Sequence, residues 1–368
     1  MSMLGWRTAW AHFIATAVVL AVVLWAVPDP SPTDEHNMQR IGQQVLIAGC
    51  DDLNCFRILV PAIVESFPGP VLERWRWYAV IGNAAGAVVT AELALAFGLS
   101  RHAALLTLWL SALGFGSMST VYHPYTADSM MFLLCPLITL LLVRGHLWWA
   151  AALAAVGIFG KEVAAAPLFI AAIAHGLMRQ WRDAGRTLTA ALAVTAIWVS
   201  WQLALMSLFQ YGYGPNPSVD IFGGGYLRYW LEHAGWRNAA VGMFVEFGAV
   251  WILAAYGVTL APPTLRAFAI GAVPAALALA YVQIPDRALW NFYHLWLPLA
   301  SLVLVSLRSF AGWCFAAMFG LANVRVAAQV MAVPPIRIPI AVTVVIAVVA
   351  IVATWRGQRQ LTARSVHA

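Results

Sequence analysis

Long apolar stretches, several of about 18 or more residues, recur along the chain between mostly short polar connections. Stretches of this kind are typical of helices that cross a membrane. The pattern predicts spans near Trp10–Val27, Trp77–Gly98, Ala103–Met118, Ser129–Val143, Leu147–Gly160, Val163–Met178, Leu188–Phe209, Ala239–Leu260, Phe268–Ile284, His294–Leu307, Phe310–Leu321 and Ile338–Trp355. We therefore expect an all-α, polytopic transmembrane helical bundle of about eleven or twelve spans, forming one integral-membrane domain over residues 1–368.

Two polar connections are long enough to form structure of their own. In the first, residues 28–74, Met38, Ile41, Val45 and Ala48 recur at helical spacing, which predicts a short amphipathic helix on the membrane surface. The following segment FRILVPAIVESF predicts a second surface helix or a shallow re-entrant one. The second connection, residues 210–236, is rich in Gly, Pro and Tyr.

Composition agrees with a membrane protein, since 62% of the residues are hydrophobic and 10% are charged. The net charge of +6 does not indicate nucleic-acid binding, because its arginines gather in short loops and near the C-terminus, as the positive-inside rule describes. Examples are Arg179, Arg182, Arg186, Arg356, Arg359 and Arg364. The first span follows Arg7 and does not end in small residues, so we expect an uncleaved signal anchor with the N-terminus inside.

The carboxylates are distributed unevenly between the two sides that this topology defines. The outer side holds most of the 15, namely Asp29, Asp34, Glu35, Asp51, Asp52, Glu65, Glu73, Asp128, Glu162, Asp220, Glu232 and Asp286. Acidic residues contribute little to membrane orientation, so insertion rules do not explain the imbalance. A site on the outer face that handles protons or charged groups would explain it.

Cysteine usage adds one candidate cross-link. Cys135 and Cys314 fall within apolar segments and are expected to behave as small hydrophobic residues. Cys50 and Cys55 lie in the outer sequence CDDLNC, where a bridge would pin Asp51 and Asp52, although two unpaired thiols explain the pair equally well.

The candidate chemistry lies at the outer ends of different spans, where helices of one bundle can bring it together. It consists of Asp34, Glu35, Asp128, Lys161, Glu162, Asp286 and Arg287. A charged side chain at the edge of the hydrocarbon layer costs free energy, so it usually has an ionic partner or a function. Lys161 is the only lysine in the chain, and a compact ammonium suits a phosphate group.

Structural roles compete with each of these assignments. Lys161 and Glu162 are also explained as a snorkelling interfacial pair, and Asp128 as the N-cap of its span. Asp34 and Glu35 suit a helix N-terminus followed by solvated loop. Arg57 contacts a phosphate or simply snorkels, and both remain open.

The first-loop sequence PTDEHNMQRIGQQVLIAG resembles the first-loop motif of the GT-C superfamily of lipid-carrier-dependent glycosyltransferases. It is similar to the motifs of the protein O-mannosyltransferase and lipid A aminoarabinose transferase group, and of the mannosyltransferases that build lipid-linked glycans. IFGKEVAAAPLF, with Lys161, is similar to their lysine near the carrier phosphate. Asp128 resembles the acid of their second outer loop, and NFYHLWLPLASL after Asp286 and Arg287 resembles their late Arg- and Pro-containing segment.

The resemblance covers about residues 1–310 and leaves 311–368 as C-terminal spans of uncertain topology. It implies a polyprenyl-phosphate-linked sugar as donor, a glycan, lipid or protein as acceptor, and Asp34 as the general base beside Glu35. It also implies that Lys161 and Arg287 bind the leaving phosphate. This sequence lacks the aromatic residue that often follows the Asp-Glu pair. CDDLNCFRILVP resembles a subset of bacterial members of the superfamily, which implies that Asp51 or Asp52 shares or takes over the role of the base.

Further ligands are expected from side chains near these acids. Tyr122 and His123 could line a sugar site, although an interfacial aromatic belt explains them equally well. His233 and His294 are expected on the outer side without forming a metal cluster. Paired carboxylates leave room for a divalent metal, which no motif indicates.

Two rival functions remain. A transporter or glycolipid flippase usually places ionisable residues near the midplane, and only Glu92 fits that expectation. A non-catalytic membrane subunit would explain the aromatic loops but not the isolated Lys161. Membrane glycosyl transfer on the periplasmic face of a bacterial inner membrane is therefore the expected function, the bacterial source being inferred from Ala- and Arg-rich usage.

Overall fold

Helices make up nearly all of the fold in the computed structural model, which describes residues 4–27, 30–32, 34–44, 46–214, 225–282, 289–307, 309–330 and 335–366. The helices are α1 Trp6–Ala26, α2 Glu35–Gln43, α3 Leu59–Glu65, α4 Val71–Ala96, α5 Arg101–Ala112, α6 Phe115–Tyr122, α7 Asp128–Val143, α8 Leu147–Gly157, α9 Ala166–Leu177, α10 Trp181–Phe209, α11 Gly225–Phe247, α12 Val250–Leu260, α13 Pro263–Val282, α14 Tyr293–Leu304, α15 Ser309–Val326 and α16 Arg337–Val366. Short 3₁₀ helices span Leu53–Phe56 and Glu162–Ala165. Among the described residues, extended pairing is limited to one bridge between Asp51 and Gly212. The expected all-α class is confirmed.

Six helical segments are long and apolar enough to cross a membrane: Trp6–Ala26, Val71–Ala96, Arg101–Tyr122, Trp181–Phe209, Pro263–Tyr281 and Arg337–Gln358. Shorter apolar helices, of 10–17 residues, lie at Asp128–Val143, Leu147–Gly157, Glu162–Leu177, Val250–Leu260, Tyr293–Leu304 and Phe310–Val326. Each apolar stretch that the sequence marks as a span is therefore helical over most of its described residues.

Small residues allow the central helices to pack closely. A Cβ atom on Gly86 of α4 would lie 2.4 Å from the carbonyl oxygen of Phe132 on α7. A Cβ atom on Gly257 of α12 would lie 2.2 Å from the carbonyl oxygen of Leu299 on α14. Close backbone approach at glycine is a common basis of helix association inside membranes. The pairs α4–α7 and α12–α14 consequently form the tightly packed centre of the bundle.

The first loop folds onto this bundle rather than away from it. Helix α2 is present but ends at Gln43, and its apolar residues Met38 and Ile41 are buried within the protein. Gly42 allows this contact, because a Cβ atom there would overlap Glu65 of α3. The expectation of a helix on the membrane surface was therefore wrong about its apolar face, which α3 and Trp75 of α4 cover. Val45 lies outside the described residues.

Candidate active site

A break between α8 and α9 places Lys161 at one end of the bundle. Helix α8 ends at Gly157, and the Lys161 backbone is extended, with φ −165° and ψ 139°. Packing leaves little room at the intervening Gly160, where an added Cβ atom would lie 3.3 Å from the Met130 sulfur. The Leu59 amide donates a hydrogen bond of 3.0 Å to the Phe159 carbonyl, which joins α3 of the first loop to this break.

Lys161 forms an ion pair with Asp128 inside the protein. The side chains of both residues are 4% exposed, and Lys161 Nζ donates to Asp128 Oδ1. Thr126 Oγ1 donates to the other carboxylate oxygen at 3.0 Å. Helix α7 begins at Asp128, so the alternative of an N-cap role is wrong; the residue before it, Ala127, occupies that position. An ammonium held this way is neutralised but keeps further N–H donors for a ligand.

A second ion pair joins the first loop to the same break. Arg57 Nη2 donates to Glu162 Oε1 at 2.8 Å, and its Nε donates to Oε2 at 3.3 Å. Arg57 Nη1 donates to Asn54 Oδ1 at 3.1 Å, which orients the guanidinium. Burial alone would lower the pKa of Arg57, but the charges of Glu162, Asp128 and Asp34 outweigh it and raise that pKa. Arg57 therefore stays charged, and snorkelling does not describe it.

Asp34 and Glu35 occupy the start of α2, beside this cluster. Asp34 is the residue preceding the helix, in the left-handed region at φ 63°, and its charge acts on Arg57. Glu35 Oε1 accepts hydrogen bonds from Tyr125 Oη at 3.1 Å and from Gln39 Nε2 at 2.8 Å. Burial, together with the hydrogen bond and charge of Glu35, raises the pKa of Tyr125 to about 12. Tyr125 is consequently a permanent donor to Glu35.

Asp51 and Asp52 instead shape the first loop. Asp51 Oδ1 accepts from the Gly214 amide at 2.7 Å, and Asp52 Oδ1 accepts from the Asn54 amide at 2.7 Å. Cys50 and Cys55 form a disulfide, which decides between the two alternatives for this pair. The cross-linked segment thus docks on the loop that follows α10, and the two acids serve its conformation.

An apolar groove of about 490 Å³ extends from Glu162 along α9, between α10 and α13. Its lining includes Ile158, Val163, Ala166, Phe169, Ile173, Thr195, Trp198, Pro274, Ala275 and Leu279. Glu162 is the single charged residue in this lining. The groove thus begins beside the Arg57–Glu162 pair and becomes hydrophobic along its length.

The described cluster carries more negative than positive charge. Asp34, Glu35, Asp128 and Glu162 oppose Lys161 and Arg57, which gives four negative and two positive formal charges. Asp286 and Arg287 lie outside the described residues. Within the described part of the chain, no three carboxylate, imidazole or thiol side chains are grouped closely enough to hold a metal ion.

The remaining candidates occupy less central positions. Tyr122 ends α6, its carbonyl accepts from the Ser31 amide at 2.8 Å, and its ring contacts His123 edge-on. His294 was expected outside, which is wrong: it is 4% exposed in the interior, 3.2 Å from Thr139 Oγ1 on α7.

Two residues beside the candidate site were missed from the sequence. Asn54 orients Arg57, and Tyr78 Oη accepts from the Met130 amide at 3.0 Å, close after Asp128. Neither residue type is unusual in its segment, so no sequence signal distinguished them. No protein-family model matches the chain, and no curated protein matches it either.

Proposed function

We propose that the chain is a polytopic membrane glycosyltransferase that moves a sugar from a polyprenyl-phosphate carrier to an acceptor hydroxyl. The observation that carries this proposal is the arrangement of two buried or half-buried ion pairs at the head of an apolar groove. A lipid phosphate needs cations for its head group and an apolar surface for its chain. Lys161, Arg57 and the groove offer both within one contiguous region.

The dimensions of the groove suit part of a lipid chain. Its lining on α9 and the preceding 3₁₀ turn extends from Glu162 to Ile173, about 16 Å at helical rise. Its volume of about 490 Å³ falls within the range of ligand sites. Part of the lining consists of small residues, which leave space open: Ala165, Ala166, Ala275 and Ala278. The first isoprene units are the part of a carrier that this space would hold.

In the proposed reaction, Asp34 takes the proton of the acceptor hydroxyl, whose oxygen then forms a bond to the anomeric carbon. The bond between that carbon and the carrier phosphate oxygen breaks, and the electron pair leaves with the phosphate. Lys161 and Arg57, together with Arg287 as the sequence predicts, stabilise the departing charge. Direct displacement of this kind inverts the configuration at the anomeric carbon. Asp128 and Glu162 hold the two cations in place between turnovers.

The carboxylates near the site differ in their contacts, and their proposed roles differ accordingly. Asp34 precedes α2 without capping it through its side chain, and its charge acts on Arg57. Glu35 is held by Tyr125 and Gln39, which suits it to position the acceptor or the base. Asp51 and Asp52 are held by backbone amides and are weaker candidates for the base.

The proposed topology places this cluster outside. If the six shorter apolar helices cross together with the six long ones, the chain makes about twelve crossings, and Arg179, Arg182 and Arg186 lie at the end of the bundle opposite the cluster. The proposed location is therefore a bacterial inner membrane, with the site on its periplasmic face. Short helices such as α8, of 11 residues, would cross only with their neighbours and flanking turns.

The transporter alternative loses its main support. Glu92, the carboxylate that suggested an ion site within the bundle, lies 3.3 Å from Arg144 and accepts from the Leu4 amide at 2.8 Å. Both partners lie at the end of the bundle opposite Lys161, so Glu92 joins the N-terminus to α4 and α7. A structural role accounts for it.

The test is sugar transfer by purified protein from a panel of radiolabelled polyprenyl-phosphate sugars, compared with Asp34→Asn and Lys161→Met. We expect both variants to lose at least 100-fold in turnover, as general-base and phosphate-binding groups typically contribute. Arg228→Gln removes an exposed ion pair elsewhere and should leave turnover unchanged. Full activity of Asp34→Asn would move the base to another acid, and a well-folded wild type that cleaves no donor would contradict the proposal.

A separate variant tests the groove. Ala166→Phe fills the groove without changing any charge. It should raise the KM for a long-chain donor while sparing a donor with a short isoprenoid chain. Equal effects on both donors would show that the groove does not hold the carrier.

A further inference from the structure

A second cavity lies at the other end of the bundle, far from the candidate active site. It has a volume of about 270 Å³ and is lined by Gly145, His146, Leu147, Trp148, Trp149 and Arg186. Helix α7 runs from Asp128 at the site to Val143, just before this cavity, so the two are about 24 Å apart along its 16 residues. The cavity is formed by the turn before α8, the first turn of α8 and the beginning of α10.

The charge around this cavity is positive. The ion pairs found among the described residues do not include Arg186, whereas Arg144 of the neighbouring turn is engaged with Glu92. Arg179 and Arg182 lie in the same stretch as Arg186, with Asp183 as the one acid there. Arg186 therefore lines the cavity without an ion pair to any carboxylate of the described residues. His146 adds a second nitrogen-bearing side chain to the lining.

Two adjacent tryptophans indicate where this cavity lies relative to the surface of the membrane. Trp148 is 77% exposed and Trp149 is 74% exposed, although both belong to the lining. Tryptophan is enriched where a protein surface meets the head groups of a bilayer. An exposed pair at the start of an apolar helix such as α8 fits that boundary. Lipid phosphates lie at the same level of a bilayer as such interfacial indoles.

We propose that this cavity binds the head group of an anionic phospholipid on the arginine-rich face of the membrane. Arg186 contacts the phosphate, His146 donates a hydrogen bond to it or to the adjoining glycerol, and Trp148 and Trp149 flank the acyl chains. Basic pockets between helices on the inner side of a membrane recognise anionic lipids in this way. The small volume fits a compact head group and excludes a whole lipid. This proposal does not depend on sugar transfer at the opposite end.

The experiment is native mass spectrometry of the purified full chain in a neutral detergent, titrated with phosphatidylglycerol, phosphatidylcholine or inorganic phosphate. We expect a one-to-one adduct with phosphatidylglycerol, weakened about fivefold in Arg186→Gln, because one basic residue near an anionic surface has about that effect. Arg182→Gln is the matched control: it removes the same charge from the same helix, but Arg182 does not line the cavity. His146→Gln should weaken the adduct less than Arg186→Gln.

Three results would overturn the proposal. Equal weakening by Arg182→Gln would mean a diffuse positive face without a site. Equal retention of phosphatidylcholine would mean that the head-group charge is not recognised. Retention of inorganic phosphate as tightly as lipid would mean a free-anion site, since the indoles would then contribute nothing.

Discussion

The pair between Asp128 and Lys161 makes the sharpest quantitative prediction, because both side chains are 4% exposed. Replacing Asp128 by Asn leaves the ammonium buried without its partner, and breaking one side of a buried pair typically costs about 3–5 kcal/mol of unfolding free energy. The Asn oxygen still accepts a hydrogen bond, and neighbouring Glu162 partly compensates the charge of Lys161. Both effects place the expected loss near the lower end, about 3 kcal/mol.

The assay is reversible unfolding in mixed micelles of increasing dodecyl sulfate content, followed by circular dichroism. Four proteins are compared: wild type, Asp128→Asn, Lys161→Met and the double variant. The double variant removes both charges, so it should lose far less than the sum of the two single losses. Glu232→Gln breaks a pair whose side chains are 64% and 57% exposed, and it should cost no more than about 0.5 kcal/mol. A loss below about 1 kcal/mol for Asp128→Asn, or additive losses in the double variant, would refute the assignment of a buried, coupled pair.

Three further predictions concern packing, the disulfide and pH. Gly86→Ala should cost about 1–3 kcal/mol in the same assay because its Cβ atom meets a backbone carbonyl of α7, whereas Gly185→Ala, with nothing within 4 Å, should not destabilise. Cys50→Ser should lower the free energy of unfolding by about 2 kcal/mol, which is the loop-closure entropy of a six-residue loop. Once reductant has opened the bridge to Cys55, the variant and the wild type should have the same free energy of unfolding. The pKa of Tyr125 is raised to about 12, so the folded state keeps this proton when the unfolded state has lost it, and stability falls between pH 10 and 12. Unfolding free energies across that window should fall less in Tyr125→Phe than in wild type, and equal slopes would contradict the raised pKa.

Hydrophobic patterning located most of the apolar helices but not their polar ends, and the predicted connection 210–236 contains the first half of α11. The predicted stretch Ser129–Val143 differs from α7 by one residue, whereas α10 begins at Trp181, seven residues before the predicted Leu188. The first turns of α10 contain Arg182, Asp183 and Arg186, which an apolar pattern excludes although they continue the helix. Helix ends exposed to water carry no hydrophobic signal, so their position depends on local backbone preferences.

The candidate site was predictable as a set of residues, but its pairing was not. Placing charges at the outer ends of spans predicts that Asp128, Lys161 and Glu162 lie near one another. In the structure Lys161 pairs with Asp128, and Glu162 pairs with Arg57 of the first loop. Which acid pairs with which cation depends on tertiary packing, such as the contact of α3 with the break at Phe159. The groove beside Glu162 is a space between three helices and has no counterpart in any one segment.

The errors have the same origin. A periodic apolar face marks Met38 and Ile41 as buried but does not say whether lipid or protein covers them. His294 begins a predicted span and was placed at its outer edge, whereas α14 begins with interior residues packed against α7.

The most direct measurement of the central claim is the stoichiometry of donor cleavage by the purified wild-type chain in lipid nanodiscs. A polyprenyl-phosphate sugar labelled separately in the sugar and the phosphate reports both products at once. We expect one carrier phosphate released for each sugar transferred, with inversion at the anomeric carbon and loss of both signals in Lys161→Met. Intact donor that appears on the opposite side of the bilayer without cleavage would contradict the account and identify the chain as a lipid transporter.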